Sequence, residues 1–223
     1  MERVTFYVDG FNFYRGLRAA KLIDNSWRIT YWIDVVKLFS QFLGPNQKLV
    51  KVIYFTASPL NENKSRRQGA FFNANKLLNS TKFEIVRGKY LKKEIECPRC
   101  KYSILRPEEK KTDVNLSIRM IGDCIQDNTD TLVLVSGDSD FIPPVEFIQK
   151  NYPDKKIRIY FPPTISSADL KNNIISHKGK IVYLANNRQK FINSIMPDVV
   201  IKDGKSYTIP LKWKSVLDTN REF

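Results

Sequence analysis

Apolar and polar positions divide most of the chain into strand-like and helix-like blocks that take turns along its length. Arg3–Val8 has strand composition, after which Phe11, Tyr14 and Leu17 recur at helical spacing. Tyr31–Phe42 reads as another helix, with Ile33, Val36 and Leu38 as apolar positions and Gly44-Pro45 ending it. Leu49–Phe55 is the next strand. A polar loop from Thr56 leads to a helix whose later turns, with Phe71, Ala74, Leu77 and Leu78, pack inward, and Phe83–Gly88 is a short strand. Val114, Ile118, Ile121 and Ile125, spaced i, i+4, i+7 and i+11, mark the apolar stripe of a further helix. Thr131–Val135 is an unbroken aliphatic run of the kind found in buried strands. A helix from about Pro143 to Lys150 follows it. Strands at Ile157–Phe161 and Lys180–Leu184 come next, separated by a short helical or irregular piece carrying Asp169. Strands alternating with helices predict an α/β fold, a mainly parallel sheet covered on both sides.

Two stretches break this rhythm. Residues 89–107 are basic and carry Cys97-Pro98-Arg99-Cys100. A Cys-x-x-Cys pair is half of a zinc knuckle, but Cys124 and His177, the remaining thiol and imidazole, fall elsewhere on the scaffold, so the segment is taken as a basic insertion. Beyond Ala185 the composition shifts. Val199–Ile209 contains two short strand-like runs around Asp203-Gly204, a hairpin signal. The expected organisation is therefore one domain over residues 1–185 and a C-terminal extension over 186–223.

Charge narrows the function. Lys and Arg number 37 against 23 Asp and Glu, a net charge of +14 among 223 residues. Such a chain is biased toward polyanions, because neutralising phosphates releases condensed counterions. No apolar run reaches bilayer length, no secretion signal opens the chain, and three cysteines make no disulfide framework, so a cytoplasmic protein without a membrane partner is expected. A single histidine makes Ser-His-Asp or Cys-His catalysis depend on His177, in a lysine-flanked turn.

The candidate chemistry is acidic. After Thr131–Val135 comes Ser136-Gly137-Asp138-Ser139-Asp140, so a buried strand ends in two carboxylates. Like charges so close are costly unless a cation sits between them. Mg²⁺ and Mn²⁺ prefer carboxylate oxygens, and open α/β sheets bind ligands beyond the carboxyl ends of their strands. Asp, Ser and Gly are also ordinary turn residues, so a plain polar turn stands beside the metal reading. The first strand likewise ends on Asp9, with Gly10 and Asn12 following at a strand-to-helix turn that offers free backbone amides. Asp113 lies in or just before the first turn of its helix, where an acid also favours the helix dipole and caps amides.

With Asp9-Gly10-Phe11-Asn12 after the first strand, Glu109-Lys110-Lys111-Thr112-Asp113-Val114 opening a helix and Ser136–Phe141 after a central strand, in that order, the chain resembles the NYN domain family, a branch of the PIN-like nucleases, over roughly residues 1–185. The resemblance implies a three-layer α/β/α doubly wound fold with acids gathered at the carboxyl edge of the sheet to hold Mg²⁺ or Mn²⁺, and RNA cleavage as the activity. On the matching positions Asp9, Asp113, Asp138 and Asp140 are the implied metal ligands and catalytic acids, with Asn12 supporting them by hydrogen bonding. Asp169 matches nothing in the family pattern, and the role of the cysteine pair does not transfer.

The expected protein is thus a metal-dependent ribonuclease, with an RNA-binding or adaptor module of the same fold and little turnover as the alternative. Its partner is RNA, single-stranded or structured, and homo-oligomers are left open. Lys64, Arg66, Arg67, Arg87, Lys89, Lys92, Lys93, Lys110 and Lys111 are the candidate phosphate contacts, with Tyr90 or Tyr102 stacking on bases.

Overall fold

Strand β1 (Glu2–Asp9) is apolar on both faces, and such a strand is stable only between two covered layers. Val4, Phe6 and Val8 face one hydrophobic cluster and Tyr7 the other. The computed structural model describes residues 1–96, 98–176 and 179–214, with the backbone alone at 91–93, 105–109 and 176. After β1 come α1 (Gly10–Ile23), a 3-10 segment Asn25–Tyr31, α2 (Val35–Ser40), β2 (Gln47–Thr56), α3 (Glu62–Leu78) and β3 (Phe83–Arg87). Then follow β4 (Lys89–Glu96), β5 (Ser103–Lys110), α4 (Thr112–Ile125), β6 (Thr131–Val135), a 3-10 turn Ser139–Phe141, α5 (Ile142–Asn151) and β7 (Lys156–Phe161). The chain continues through α6 (Ala168–Ser176), β8 (Lys180–Tyr183), α7 (Arg188–Ile192), β9 (Val199–Lys202) and β10 (Lys205–Thr208).

The six-stranded sheet has the order β3-β2-β1-β6-β7-β8, and every pairing in it is parallel. Side chains of α1, α2, α3 and α7 pack on one face; those of α4, α5 and α6 pack on the other. The chain winds outward from β1 through β2 to β3, then returns to the middle and winds the other way through β6, β7 and β8. The direction reverses between β1 and β6, and the carboxyl-end crevice at such a switch is where ligands bind in open α/β sheets. The doubly wound α/β/α architecture agrees with the sequence expectation, as does the terminal β9–β10 pair, whose Asp203-Gly204 turn has both residues at positive φ, 50° and 72°. That pair packs on α3 rather than on a sheet edge; Val200, Ile209 and Trp213 enter the same cluster as α1–α3.

The structure corrects several sequence expectations. The helix read from Tyr31 to Phe42 is instead a 3-10 segment ending at Tyr31 and a short α2 beginning at Val35. Asp34 starts α2 by accepting from the Lys37 amide at 2.9 Å, and buried Asn75 takes the free Val35 amide at 2.9 Å. The basic insertion is a regular antiparallel hairpin, β4–β5, running to Lys110 rather than stopping at 107. Its mixed charges hid a strand pair whose described side chains at 94–96, 103 and 104 are exposed. Cys97 and His177 lie outside the described residues; Cys124 is buried on α4, where loss of solvation pushes its thiol up to about 11, and it packs among Leu116 and Met120.

Of the predicted stripe, Val114, Ile118 and Ile125 face outward, at 61%, 64% and 64% exposure, whereas Ile121 packs half-buried against the cluster on this face of the sheet. The opposite row of α4, Leu116, Met120 and Cys124, meets the sheet. The roll of the helix is set by Asp123, which accepts from the Tyr7 hydroxyl at 2.8 Å and from Arg119 at 3.0 Å. Arg119 also reaches Glu84 on β3 at 2.7 Å, and Lys51 on β2 reaches the same carboxylate at 3.0 Å. Burial, with the Asp123 carboxylate beside it, pushes the Tyr7 phenol well above its ordinary value, so it remains a donor.

At the amino edge Asp130 accepts from the Arg3 backbone amide at 2.7 Å and from its guanidinium at 2.6 Å, tying β1 to β6. These Arg3 hydrogen bonds hold the Asp130 carboxyl at about 2, below its ordinary 3.8. A depressed acid contributes stability that is complete above its unfolded value and is lost as pH falls through its folded value. Urea midpoints should therefore drop between pH 4 and pH 2 less steeply for Asp130→Asn than for wild type. An identical acid limb in the two proteins would contradict the assignment.

Candidate active site

Two chain reversals meet at the switch point. Val8 of β1 pairs in register with Val135 of β6, so Asp9 and Ser136 leave the sheet side by side. Asp9 is only 2% exposed. A buried carboxylate is tolerated when its oxygens are hydrogen-bonded. One oxygen accepts from the Asn12 amide at 3.0 Å, capping α1, and the other accepts from Ser136 Oγ at 2.8 Å. Ser136 Oγ in turn accepts from the Asp138 amide at 3.1 Å, and Asp138 accepts from the Asp140 amide at 3.0 Å, starting the 3-10 turn. Asn12 Oδ1 faces the Gly137 amide at 3.4 Å. Asp9, Asn12, Ser136, Asp138 and Asp140 thus form one hydrogen-bonded chain across the two segments.

Both glycines of these motifs are required by close approach. A Cβ on Gly10 would lie 2.2 Å from a ring carbon of Tyr54 and 2.6 Å from the Phe55 carbonyl oxygen, so only glycine lets α1 begin against β2. A Cβ on Gly137 would lie 2.6 Å from Ile165 Cγ2, on the loop that follows β7.

Asp113 arrives from the opposite layer. Because α4 ends before the amino end of β6, its N-terminus stands at the carboxyl edge of the sheet, and the helix packs against the Ser139–Phe141 turn. Asp113 is exposed in the first turn but is not the N-cap; that position belongs to Lys111, held at φ 75°. Asp169 is exposed in the first turn of α6, another helix that starts at this edge. Among the described residues no three His, Cys, Asp or Glu side chains converge tightly enough to enclose a metal ion. The donors at this edge are nonetheless all oxygen: carboxylates, a carboxamide and a hydroxyl. That set suits a hard divalent cation, and Mg²⁺ characteristically binds one or two carboxylates while keeping water and substrate oxygens for its other positions.

Seven of the nine expected phosphate contacts lie on elements that begin or end at this edge. Lys64, Arg66 and Arg67 occupy the first half of α3, whose N-terminus follows β2. Arg87 closes β3, with its guanidinium bonded to Ser58 Oγ and 5.6 Å from the Phe72 ring centroid. Lys89 and Lys110 face each other at the base of the β4–β5 hairpin, and Lys111 follows. Lys92 and Lys93 lie farther along β4, where only the backbone is described. Arg66 is partly answered by Glu62 at 3.7 Å, a pair exposed enough to cost little to open. Tyr90 is half-buried, and Tyr102 is exposed in the loop joining β4 to β5. Sequence reasoning passed over Ser136 as a site residue. Its signal was its position next to a strand-end Gly-Asp, but its bond to Asp9 depends on strand order.

The family model described as NYN domain matches residues 3–192. The chain is 24% identical over 208 residues to the 6-hydroxy-3-succinoylpyridine 3-monooxygenase of Pseudomonas putida, an alignment covering 78% of this chain and 64% of that protein. A crystal structure of a protein of unknown function from Vibrio parahaemolyticus superposes with a TM-score of 0.52 at 22% identity, covering 81% of this chain and 91% of that one, which shows a shared fold.

The glycine requirement is open to a paired test. Gly10→Ala should lower unfolding free energy by about 1–3 kcal/mol through overpacking. Gly69→Ala, in the middle of α3 where an added Cβ meets nothing within 4 Å, should leave it unchanged or raise it by about 0.5–1 kcal/mol. Urea unfolding of both variants checks the pair; equal effects would refute the close approach at Gly10.

Proposed function

The chain belongs to the NYN domain family, and from that premise we propose that it is a metal-dependent nuclease that hydrolyses RNA phosphodiesters at the β1–β6 switch point. The observation that carries this reading is the linkage of Asp9, Asp138 and Asp140 in one hydrogen-bonded chain at the carboxyl edge. Asp113 and the basic residues of α3, β3 and the hairpin base stand at the same edge. An acid cluster rimmed by cations suits a phosphate substrate: the rim would bind the backbone, and the acids would hold the cation that offsets charge developing at the phosphate.

Asp9, Asp113, Asp138 and Asp140 are the residues that would hold Mg²⁺ or Mn²⁺. A bound cation would supply an activated water and neutralise charge at the scissile phosphate. Ser136 orients Asp9 by donating to one oxygen, and the Asn12 amide holds the other. The Asp138 carboxylate is held in place by the Asp140 amide, which leaves its second oxygen available to a ligand. Arg87, steadied by Ser58 and the Phe72 ring, is placed to meet a phosphate without first having to be ordered. RNA is chosen over DNA on family grounds.

Asp138→Asn preserves the shape of the side chain and its acceptor toward Asp140 while removing one anionic ligand. Cleavage of a labelled RNA should fall by at least ~100-fold, consistent with losing a few kcal/mol of transition-state stabilisation. RNA binding should persist, and the rise in melting temperature on adding Mn²⁺ should shrink, because a ligand stabilises only in proportion to its affinity for the folded form. Undiminished cleavage with unchanged Mn²⁺ stabilisation would refute the assignment. RNA binding without metal-dependent cleavage by the wild type would favour the adaptor alternative.

A further inference from the structure

Helix α1 carries two apolar rings that its periodicity offers to the core and that the core does not take. Phe13, Leu17 and Ala20 are buried, whereas Phe11 is 51% and Tyr14 40% exposed. Phe11, Tyr14, Arg15 and Arg18 follow the i, i+3, i+4, i+7 spacing of one helix face, opposite the buried row. The face begins two residues beyond Asp9 and spans about 10 Å at 1.5 Å per residue. The Tyr14 ring is braced by Tyr31, centroids 5.4 Å apart, and Tyr31 lies edge-on to Trp213 at 5.9 Å. Arg15 and Arg18 are exposed and form no ion pair with any described acid.

We propose that this face of α1 is a track for single-stranded nucleic acid leading into the Asp9 crevice, with bases stacking on Phe11 and Tyr14 and phosphates meeting Arg15 and Arg18. The choice of ligand rests on the nuclease reading; the surface itself is read from exposure and charge. Rings interleaved with guanidiniums are the chemistry that holds single strands without sequence readout, through stacking and charge together. Aromatic rings and arginines also occur at protein interfaces; the net charge of +14 and the run of this face toward the Asp9 crevice favour a polyanionic strand here. The exposed Leu22 and Ile23 at the far end of α1 offer neither a ring nor a charge and lie beyond the track. The helix dipole adds partial positive charge at the Phe11 end, where the strand would enter the crevice.

The test uses fluorescence anisotropy of a labelled 12-nucleotide oligouridine with EDTA present, over a series of salt concentrations, beside cleavage assays with metal. Phe11→Ala and Tyr14→Ala should each weaken binding about tenfold or more, with the slope of log affinity against log salt unchanged. Phe11→Leu should behave like Phe11→Ala, since a branched alkyl group cannot stack. Arg15→Ala with Arg18→Ala should make the salt slope shallower by about 1.4, two phosphate contacts at ~0.7 each. Melting temperatures should match wild type for the Phe11 and arginine variants and fall slightly for Tyr14→Ala, which loses its contact with Tyr31.

If wild type binds and cleaves while these variants do the same, the track is overturned and the nuclease reading stands. If wild type neither binds nor cleaves, both fall. Full binding by Phe11→Leu, or a loss of self-association measured by sedimentation with RNA affinity unchanged, would make the face an apolar docking surface and overturn the proposal.

Discussion

A carboxylate that is 2% exposed must have both oxygens answered, and Asp9 is answered by two separate pieces of chain: the Asn12 amide of its own helix and the hydroxyl of Ser136 from the neighbouring strand. That condition holds the centre of the molecule together. It requires β6 to lie beside β1 in a register that pairs Val8 with Val135, and it requires α1 to start tightly enough against β2 that Gly10 can carry no side chain. The switch in winding direction between β1 and β6, the capping of α1 and the position of Asp138 all meet at the same contact. A charge buried in this way would be destabilising with either partner missing, so the fold and the site are specified by one interaction.

Around this centre the elements divide their tasks by edge. The amino edge carries a clip of opposite charges, with Arg3 against Asp127 and Asp130 and Lys156 against Glu2. The carboxyl edge brings together the acids and most of the named cations. Cations around a crevice raise the local concentration of anionic ligands. Helices α1, α3, α4 and α6 all begin at this edge, so their N-terminal dipoles reinforce its preference for anions. The network of Tyr7, Asp123, Arg119 and Glu84 fixes the roll of α4 and, with it, the direction from which Asp113 enters.

The alternation of strands and helices, the buried run Thr131–Val135, the Asp-Gly hairpin and the acid-terminated strands were legible in the sequence because each depends on residues within a few positions of one another. Charge balance pointed to polyanions for the same reason: it is a sum that needs no geometry. What the sequence left open was set by contacts between distant segments. Both α1 and α4 carry two rows of apolar residues, and periodicity cannot tell which row meets the sheet; Asp123 beneath Tyr7 decides it for α4, leaving Val114, Ile118 and Ile125 outside. The β4–β5 hairpin was hidden because its charged sequence shows no apolar alternation to mark a strand. That Ser136 belongs with Asp9 was decided only when the strand order made them neighbours, 127 residues apart along the chain.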